Sequence, residues 1–584
     1  MLKQPHALNR CSNLKRPSAG VDGGQGRRSN GTGIEMDHRV LEPHHEARIA
    51  DVTAALQTGE RDRALRLAVA ALEEGVDHPL LLNLRAWGHE RAGRFAEALT
   101  DLEHARDIAP DDIPILNALA LAYQRARRWR ESAVLFARVA AAAPDFLPAH
   151  LNLGWTYEHM GELKQAGGAY EAALALKSDE PIALGALASL AARRGDWAEA
   201  RLFATRALAV QPQQTAGLYA LALAEAAEGA PEKALAMVER HAEDAQRPIL
   251  DRALLAGAAG DAAHAQGDPD RAFTHYTRAA ALLAQGHAPS FAQPDQESVC
   301  AYVRRMTIYL EQTAPEEFAR PQPPLLAIPG TPRQHNFILG FPRSGTTLLE
   351  NVMGAHPEVR TSEEREGFAF PMRTYMMWAD GLSYLFREDA ERLQVCRKTY
   401  WAQIHDQGVD TSGAIFIDKH PLNALKLPLI ARLFPEARIL FAVRDPRDVV
   451  LSCFRRRFAM NAAMYEFTGL ERAALFYDAA MTYVAAARPR LALNLVYLKY
   501  EDFIADFEGQ AFEMCKFFNI PWTQDVQNFA ARARGRAIAT PSAAQVGRGI
   551  YQEGAGQWRA YAKHLAPIMP ILRPWIERFG YTPD

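Results

Sequence analysis

The sequence predicts an all-α repeat solenoid in the first half of the chain and, in the second half, an α/β domain with a parallel sheet around a P-loop-like phosphate loop. Three observations support this prediction. A glycine recurs at intervals of 34 residues through the first half, a proline-rich segment interrupts the chain, and an apolar run, a glycine-containing loop and a helical pattern follow it. The chain has 584 residues, which is long enough for several domains.

The 34-residue interval defines the repeats of the first half. In six units the marker at the turn is followed five positions later by a small residue, and the pairs are Gly59 and Ala64, Gly93 and Ala98, Arg127 and Ser132, Gly161 and Ala166, Gly195 and Ala200, and Gly229 and Ala234. A seventh pair, Gly267 and Ala272, follows Gly229 after 38 residues, so the period is four residues longer there. Paired helices need small residues where they approach closely, so each interval predicts one helix-turn-helix unit.

These units resemble the tetratricopeptide repeat (TPR) family. The resemblance implies a right-handed superhelix over residues 46–285 whose concave face binds a peptide or a partner domain. A spacer or a dimerisation surface is the alternative, because the fold of an array does not determine its function.

Composition shifts mark the remaining boundaries. Residues 1–45 are rich in Gly, Asn, Ser and Arg, and we expect a disordered tail. Residues 286–333 are predicted as a helical and proline-rich linker, because the segment 314–332 carries six prolines. The α/β domain is then expected to occupy residues 334–584.

Charge and cysteine usage limit the kinds of partner. The 66 Lys and Arg residues nearly balance 69 Asp and Glu residues, giving a net charge of −3 and no general attraction for nucleic acid or an anionic membrane. The five cysteines are scattered without a C-x-x-C pair, and the sequence shows neither an apolar membrane span nor a signal peptide. We therefore expect a cytoplasmic protein without nucleic-acid or membrane partners.

The phosphate loop follows the apolar run at residues 336–340 and leads into a helical stretch. Its predicted anion-binding residues are Arg343, Ser344, Gly345, Thr346 and Thr347. In the order strand, loop, helix, backbone N–H groups converge on one point and suit a phosphate or sulfate. Thr346 stands where a nucleotide P-loop has lysine, which opposes an ATPase or a kinase. Arg343 supplies the cation instead, and its planar guanidinium can bind an oxyanion through two hydrogen bonds.

A second anion site is predicted farther along the chain. Residues 414–417 and 437–443 are expected to be buried parallel strands, with a helical stretch at residues 425–434 between them. Arg444 follows the second strand, and Ser452 and Arg456 lie four residues apart on the next helix. Two anion sites on one sheet indicate a ligand with charged groups at both ends.

These two blocks resemble the sulfotransferases that use 3′-phosphoadenylyl sulfate, and the resemblance extends over residues 334–584. Within that family the protein-tyrosine sulfotransferases are the most similar, through residues 342–364 and 417–452. The resemblance implies that the first block binds the 5′-phosphosulfate and that Arg444, Ser452 and Arg456 bind the 3′-phosphate. It implies 3′-phosphoadenylyl sulfate as co-substrate and no metal.

The resemblance also assigns catalytic roles. Glu364 would accept the proton of the acceptor hydroxyl, with Glu363 as the rival, and Lys419 would contact the bridging oxygen and the sulfuryl group. Ser542 would donate to the same developing charge. In the absence of such roles, these carboxylates would be helix caps and Lys419 a lysine at a strand end.

Other residues are weaker candidates. Tyr500 and Arg548 are expected at the nucleotide, and Trp558 and Arg559 near it, although both aromatic residues also fit a hydrophobic core. His356 and His420 lie inside the similar blocks and rank below Glu364 as a base.

The sequence also departs from the tyrosine-specific pattern. Thr361 stands where members of the animal secretory pathway have a cysteine, and Gln557 stands in place of a cofactor-binding lysine. These differences leave the donor site intact and open the question of the acceptor.

The leading hypothesis is a sulfotransferase that acts on a hydroxyl group, with protein tyrosine favoured and the array binding a protein or peptide acceptor. A carbohydrate or small-molecule acceptor is an alternative. A scaffold whose transferase half is inactive but still holds nucleotide is another, and a homodimer is one further option for the assembly.

Overall fold

The computed structural model describes residues 43–378, 381–530 and 554–582. Within these residues the chain forms two compact units, one ending at Leu184 and the other beginning at Gly185. Almost all of the expected N-terminal tail lies outside the described residues. No helix in the described ranges is long and apolar enough to cross a membrane.

The first half of the chain is built from paired helices, which confirms the predicted repeats. In the described residues up to 291 the helices are α1 (Pro43–Gln57), α2 (Arg61–Glu73), α3 (Pro79–Arg91), α4 (Phe95–Ile108), α5 (Ile113–Arg125), α6 (Trp129–Ala142), α7 (Leu147–Met160), α8 (Leu163–Leu176), α9 (Pro181–Arg194), α10 (Trp197–Val210), α11 (Thr215–Ala227), α12 (Pro231–Glu243), α13 (Ile249–Ala265) and α14 (Pro269–Phe291).

The repeat markers lie at the turn inside each pair. Gly59, Gly161 and the other marker glycines follow the first helix of a pair with positive φ values, a backbone conformation that glycine adopts without a steric penalty. Arg127 occupies the same position with φ +58°. The small residues five positions later, Ala64 to Ala272, are buried where the paired helices meet. The 34-residue pattern therefore predicts both the turn within each helix pair and the buried position where the two helices meet.

The second half is an α/β domain with a parallel sheet, as predicted. Its strands are β1 (Gln334–Gly340), β2 (Val359–Thr361), β3 (Ile415–Lys419), β4 (Arg438–Val443) and β5 (Asn494–Lys499). The strand order is β2-β3-β1-β4-β5, and all neighbouring strands are parallel. β1 lies between β3 and β4, so the two strands predicted on either side of residues 425–434 are not direct neighbours.

Helices cover both faces of this sheet. They are α15 (Val299–Gln312), α16 (Pro315–Phe318), α17 (Thr346–Gly354), α18 (Ala369–Tyr375), α19 (Gly381–Arg387), α20 (Ala390–Asp406), α21 (Leu427–Leu433), α22 (Pro446–Arg455), α23 (Ala462–Tyr465), α24 (Leu470–Ala487), α25 (Tyr500–Ala505), α26 (Phe507–Phe518), α27 (Gln524–Gln527), α28 (Ala562–Leu565) and α29 (Met569–Arg578). Short 3₁₀ helices include Pro421–Lys426 and Gln557–Tyr561.

Alternate residues of β1 enter different cores. Phe337 and Leu339 belong to a large cluster that contains residues of α20, α21 and α24. Ile338 points to the opposite face and packs in a second cluster with residues of α17 and α26. A central parallel strand buries both faces, so its sequence is a continuous apolar run. Its carboxyl end, where the phosphate loop begins, is consequently held rigidly.

Candidate active site

The phosphate loop connects β1 to α17. Gly345 directly precedes α17 and has φ +97°, in the left-handed region that favours glycine. A Cβ atom at this position would lie 2.6 Å from Cδ2 of Tyr500, so glycine lets the tyrosine ring approach the loop. Ser344, Thr346 and Thr347 are buried. The first N–H groups of a helix have no partner within the helix, and this loop places them where an oxyanion can bind.

Arg343 joins this loop to the second predicted anion site. Its Nε donates to Oγ of Ser452 at 3.0 Å, and its carbonyl oxygen accepts from Nη1 of Arg444 at 3.2 Å. β1 and β4 are neighbours in the sheet, so the loops that follow them lie side by side. The structure therefore brings together three residues that the sequence predicted in two separate blocks.

Arg444 is held by several groups. Its guanidinium lies 4.9 Å from the ring centroid of Tyr500, a cation–π contact, and its Nη2 donates to the carbonyl oxygen of Gly554. Its Nη2 also lies 3.9 Å from Oδ2 of Asp448. Tyr500 thus contacts both the phosphate loop and the second block.

Asp448 links α22 to the C-terminal segment. Its carboxylate accepts the backbone N–H of Gly556 at 2.6 Å and of Trp558 at 2.8 Å. Burial raises the pKa of Asp448, although Arg444 and these N–H groups favour the charged form. This carboxylate was not among the predicted site residues. Its position in the first turn of the helix predicted just after Arg444 is the sequence signal that could have identified it.

Glu364 and Lys419 lie at the ends of two neighbouring strands, β2 and β3. The N–H of Glu364 donates to the carbonyl oxygen of Lys419 at 2.9 Å, which continues the strand pairing. The Nζ of Lys419 lies 2.6 Å from Oε1 of Glu364 and 3.0 Å from Oε2 of Glu350. The Lys419 side chain is fully buried and that of Glu364 is 38% exposed. Glu364 is therefore the member of the group that a substrate can reach.

The charges of this cluster oppose the effect of burial. Burial raises the pKa of Glu364, but the ammonium of Lys419, with contributions from His420 and Arg343, outweighs it and leaves the pKa below its usual value. Burial dominates at Glu350, whose pKa is raised despite Lys419. At Lys419 the two carboxylates outweigh burial and raise the pKa. At neutral pH the exposed member is a carboxylate beside a charged lysine.

The backbone at Glu363 and Glu364 is unusual. Their φ values are +49° and +68°, in the left-handed region that costs a residue with a side chain roughly 1–2 kcal/mol. The N–H of Glu363 donates to Oε1 of Glu350 at 3.0 Å. Strained backbone of this kind persists where surrounding contacts hold it, and it is frequent at functional sites. Glu364 pairs with Lys419, whereas its rival Glu363 contributes a backbone N–H.

Glu350 is a further residue that the sequence prediction missed. It lies on α17, four residues after Thr346, with its side chain only 5% exposed. A glutamate in a short helix is ordinarily expected to face solvent. Apolar residues on all sides of α17, Leu349, Val352 and Met353 among them, are the sequence signal that the whole helix is buried.

Of the two histidines, His420 directly follows Lys419 and lies near the pair, whereas His356 lies just before β2. Nδ1 of His356 accepts the N–H of Glu358 at 3.2 Å, at the beginning of β2. Burial, reinforced by the charge of Lys426, lowers the pKa of His420 to about 4. Among the described residues, no group of three or more His, Cys, Asp or Glu could hold a metal ion.

Several predicted residues belong to the C-terminal segment. Ser542 and Arg548 lie outside the described residues. Trp558 is buried, with the guanidinium of Arg447 3.6 Å from its ring centroid. Arg559 lies against the same tryptophan, 5.2 Å from the ring centroid. The structure therefore places Trp558 beside α22 rather than beside the Glu364–Lys419 pair.

Comparisons with known proteins agree with this geometry. Residues 336–524 match the model of the sulfotransferase family. This part of the chain is a sulfotransferase-family domain. Residues 50–113, 117–181 and 183–216 match tetratricopeptide repeat models, so TPR units precede the sulfotransferase domain.

The chain is also similar to individual proteins. It is 26% identical to an uncharacterized protein of Aquifex aeolicus over 257 residues, which are 41% of this chain and 32% of that protein. It is 25% identical to protein-tyrosine sulfotransferase 1 of Danio rerio over 42% of this chain and 72% of that protein. For protein-tyrosine sulfotransferase 1 of Mus musculus the identity is 26%, over 42% of this chain and 69% of the mouse protein. The chain thus spans about a third of the length of the Aquifex relative.

Proposed function

We propose that this protein transfers the sulfuryl group of 3′-phosphoadenylyl sulfate to an acceptor hydroxyl. The observation that carries the proposal is the Glu364–Lys419 ion pair at the ends of β2 and β3, beside a phosphate loop that contacts a second arginine block. A base, a buried ammonium and two sets of anion-binding groups are what sulfuryl transfer requires. The relatives named as protein-tyrosine sulfotransferases make tyrosine the favoured acceptor.

The residues present fit a donor that carries several negative charges. Arg343 and the N-terminus of α17 would hold the 5′-phosphosulfate, and Arg444, Ser452 and Arg456 would hold the 3′-phosphate. Tyr500, which lies between the phosphate loop and Arg444, would line the nucleotide site. Arginine is well suited to this role because it stays charged at every physiological pH.

The reaction exchanges one sulfur–oxygen bond for another. Glu364, a carboxylate at neutral pH, accepts the proton of the acceptor hydroxyl while the oxygen of that hydroxyl forms a bond to sulfur. The bond between sulfur and the bridging oxygen breaks, and adenosine 3′,5′-bisphosphate leaves. Lys419 meets the negative charge that grows on the bridging oxygen. To act in this way, Lys419 exchanges its contact with Glu364 for one with the donor.

The TPR array is assigned to the acceptor. TPR units generally bind proteins, so the array would select a protein or peptide acceptor and hold it near the sulfotransferase domain. On the sequence argument from scattered cysteines, the proposal places the reaction in the cytoplasm.

The proposal is tested with labelled donor. Sulfate transfer from 3′-phosphoadenylyl sulfate is measured with tyrosine peptides, glycans and simple phenols, and binding of adenosine 3′,5′-bisphosphate is measured by calorimetry. We expect bisphosphate binding and transfer to at least one hydroxyl class, with tyrosine peptides preferred. A chain that does not bind the bisphosphate is not a sulfotransferase of this kind.

Variants of the two neighbouring glutamates identify the base. Glu364→Gln is expected to lower kcat by about a hundredfold or more, as is usual when a general base is lost, while bisphosphate binding persists. Glu363→Gln is the matched control, because its side chain is not the partner of Lys419. If Glu364→Gln transfers sulfate as fast as the unchanged chain, Glu364 is not the base. If the unchanged chain binds the bisphosphate but transfers no sulfate to any acceptor and Glu364→Gln changes nothing, the domain is an inactive nucleotide-holding scaffold.

A further inference from the structure

The last helix pair of the array differs from the pair before it in length. α13 has 17 residues and α14 has 23, whereas α11 and α12 have 13 each. The extra length of α13 accounts for the 38-residue interval between Gly229 and Gly267. Within the unit that begins at Gly185, α14 packs against α22, α23 and the 3₁₀ helix Gln557–Tyr561. The departure from the 34-residue period therefore marks a pair that contacts the sulfotransferase domain, to which Tyr219 of α11 adds a contact with Arg457.

Asp261 of α13 binds Arg457, which lies just after α22. The Nη2 of Arg457 is 2.6 Å from Oδ2 of Asp261, and the hydroxyl of Tyr276 donates to the other carboxylate oxygen at 2.9 Å. Gly257 leaves room for the guanidinium, because a Cβ atom there would overlap Nη1 of Arg457. The side chains of Arg457 and Asp261 are 18% and 21% exposed. An ion pair removed this far from water holds its partners more firmly than a surface pair.

Arg455, the last residue of α22, is held by the same helix pair. Its guanidinium lies 5.1 Å from the ring centroid of Tyr276 and 5.3 Å from that of Tyr561. The hydroxyl of Tyr561 forms a hydrogen bond of 2.9 Å with Nδ1 of His264 on α13. The array thus contacts both the end of α22 and the 3₁₀ helix whose Trp558 N–H binds Asp448.

Arg456 lies between these two fixed arginines. It follows α22 directly with extended backbone, φ −90° and ψ +146°, so the prediction that it lies on the same helix as Ser452 is wrong. Both chain neighbours of Arg456 are fixed by side chains of α13 and α14. The path of the backbone at Arg456 consequently depends on the array.

We propose that Asp261 is a positioning residue for the second anion site, and that α13 and α14 are a working part of the sulfotransferase rather than of the acceptor-binding array. Asp261 acts through Arg457 to hold Arg456 where it can meet the 3′-phosphate. This inference rests on the proposed function, because it assumes that the ligand carries a 3′-phosphate.

A positioning role and a simple charge effect predict opposite results. Asp261 is a negative charge near three consecutive arginines, Arg455 to Arg457, and it opposes the binding of an anion by Coulomb repulsion. If the carboxylate acted only through its charge, its removal would strengthen bisphosphate binding. If it holds the arginine segment in place, its removal weakens binding.

The experiment measures binding to the full chain by calorimetry with two probes, adenosine 3′,5′-bisphosphate and adenosine 5′-monophosphate. Asp261→Asn is expected to weaken binding of the bisphosphate about tenfold, the loss of a hydrogen bond to a charged group, and to leave binding of the monophosphate unchanged. In transfer assays KM for the donor rises by a similar factor while kcat changes little. Asp270→Asn is the matched control, since Asp270 of α14 pairs with Lys563 and His564 at the exposed rim of the same contact.

Each other outcome has a defined meaning. If the unchanged chain binds no bisphosphate, the proposed function fails before the inference is tested. If Asp261→Asn binds the bisphosphate as well as or better than the unchanged chain, or loses both probes equally, the positioning role is wrong. Should Asp261→Asn not fold, Tyr276→Phe removes the hydroxyl that donates to Asp261 and also hydrogen-bonds Arg455, and it keeps the ring. It is expected to weaken bisphosphate binding severalfold, and unchanged binding in this variant overturns the inference.

Discussion

At the scale of single residues, the site depends on how one lysine is shared. Lys419 has no exposed surface and two carboxylate partners, Glu350 and Glu364. In the proposed reaction Glu364 turns to the acceptor hydroxyl and Lys419 to the donor, and Glu350 remains as the partner that keeps the ammonium charged and in place. A buried ammonium without such a partner would lose its proton more readily.

The first prediction concerns Glu350. Glu350→Gln keeps the shape of the side chain and removes its charge, so Lys419 loses the carboxylate partner that is not the proposed base. We expect kcat to fall by about ten- to a hundredfold with bisphosphate affinity nearly unchanged, measured by steady-state transfer assays and calorimetry. Glu358→Gln is the control, because Glu358, just before β2, forms a half-exposed ion pair with Arg333 and does not contact Lys419. An unchanged kcat in Glu350→Gln would show that Lys419 needs only Glu364.

At the scale of elements, the ends of β2 and β3 are joined by a buried polar network. Oγ of Ser362 donates to Oδ1 of Asp418 at 3.2 Å and accepts the N–H of Lys419 at 2.9 Å. The hydroxyl of Tyr400 on α20 donates to Oδ2 of Asp418 at 2.7 Å. This network holds the two strand ends that carry Glu364 and Lys419 in register.

The second prediction concerns the pH dependence of this network. Burial raises the pKa of Asp418 from 3.8 to about 7, despite the hydrogen bond from Tyr400. Because the pKa is higher in the folded state than in the unfolded state, folding favours the protonated form. The contribution of Asp418 to the free energy of unfolding is therefore greatest below pH 4. It falls by about 1.4 kcal/mol per pH unit as the pH rises to about 7. Asp418→Asn is expected to remove this dependence in urea unfolding measured between pH 5 and 8.

A matched variant separates this effect from general titration. Asp410 is exposed, and its carboxylate accepts the N–H of Ser412, which lowers its pKa. Asp410→Asn should keep the pH dependence of the unchanged chain, because its titration falls below the tested range. Equal pH dependence in the unchanged chain and in Asp418→Asn would show that Asp418 does not titrate there.

The third prediction concerns the phosphate loop. Gly345→Ala imposes the cost of a left-handed φ and also brings a Cβ atom to 2.6 Å from the ring of Tyr500. The loop and the ring must separate, so we expect bisphosphate binding to weaken by about a hundredfold. Gly330→Ala is the control for backbone strain alone, since Gly330 has φ +78° with no atom within 4 Å of the added Cβ. Similar binding in both variants would show that the contact with Tyr500 has no effect on the loop.

At the scale of the whole molecule, repeats and phosphate loops could be predicted because each has a local sequence pattern. The interval of 34 residues defines the turn and the buried small residue, and the order strand, loop, helix defines the first anion site. Glu350 could not be predicted in this way, because its role depends on Lys419, which is distant in sequence. The position of the unit boundary at Leu184 and Gly185, inside the repeat array, also follows from tertiary packing. The 34-residue spacing continues unchanged from Gly161 to Gly195 and Gly229, so no sequence pattern marks this boundary.

The last prediction follows from this boundary. The large core that includes Ala259 and Tyr276 of the array also includes Phe454 and Phe467 of the sulfotransferase domain. A chain of residues 178–584 retains this core and begins just before α9, so we expect it to unfold cooperatively and to bind bisphosphate within about twofold of the full chain. A chain of residues 293–584 lacks α13 and α14, exposes their apolar contacts and should aggregate or unfold without cooperativity. Calorimetry and urea unfolding distinguish the two. If residues 293–584 bind the bisphosphate with the affinity of the full chain, the sulfotransferase domain folds without the array and its own core is sufficient for stability.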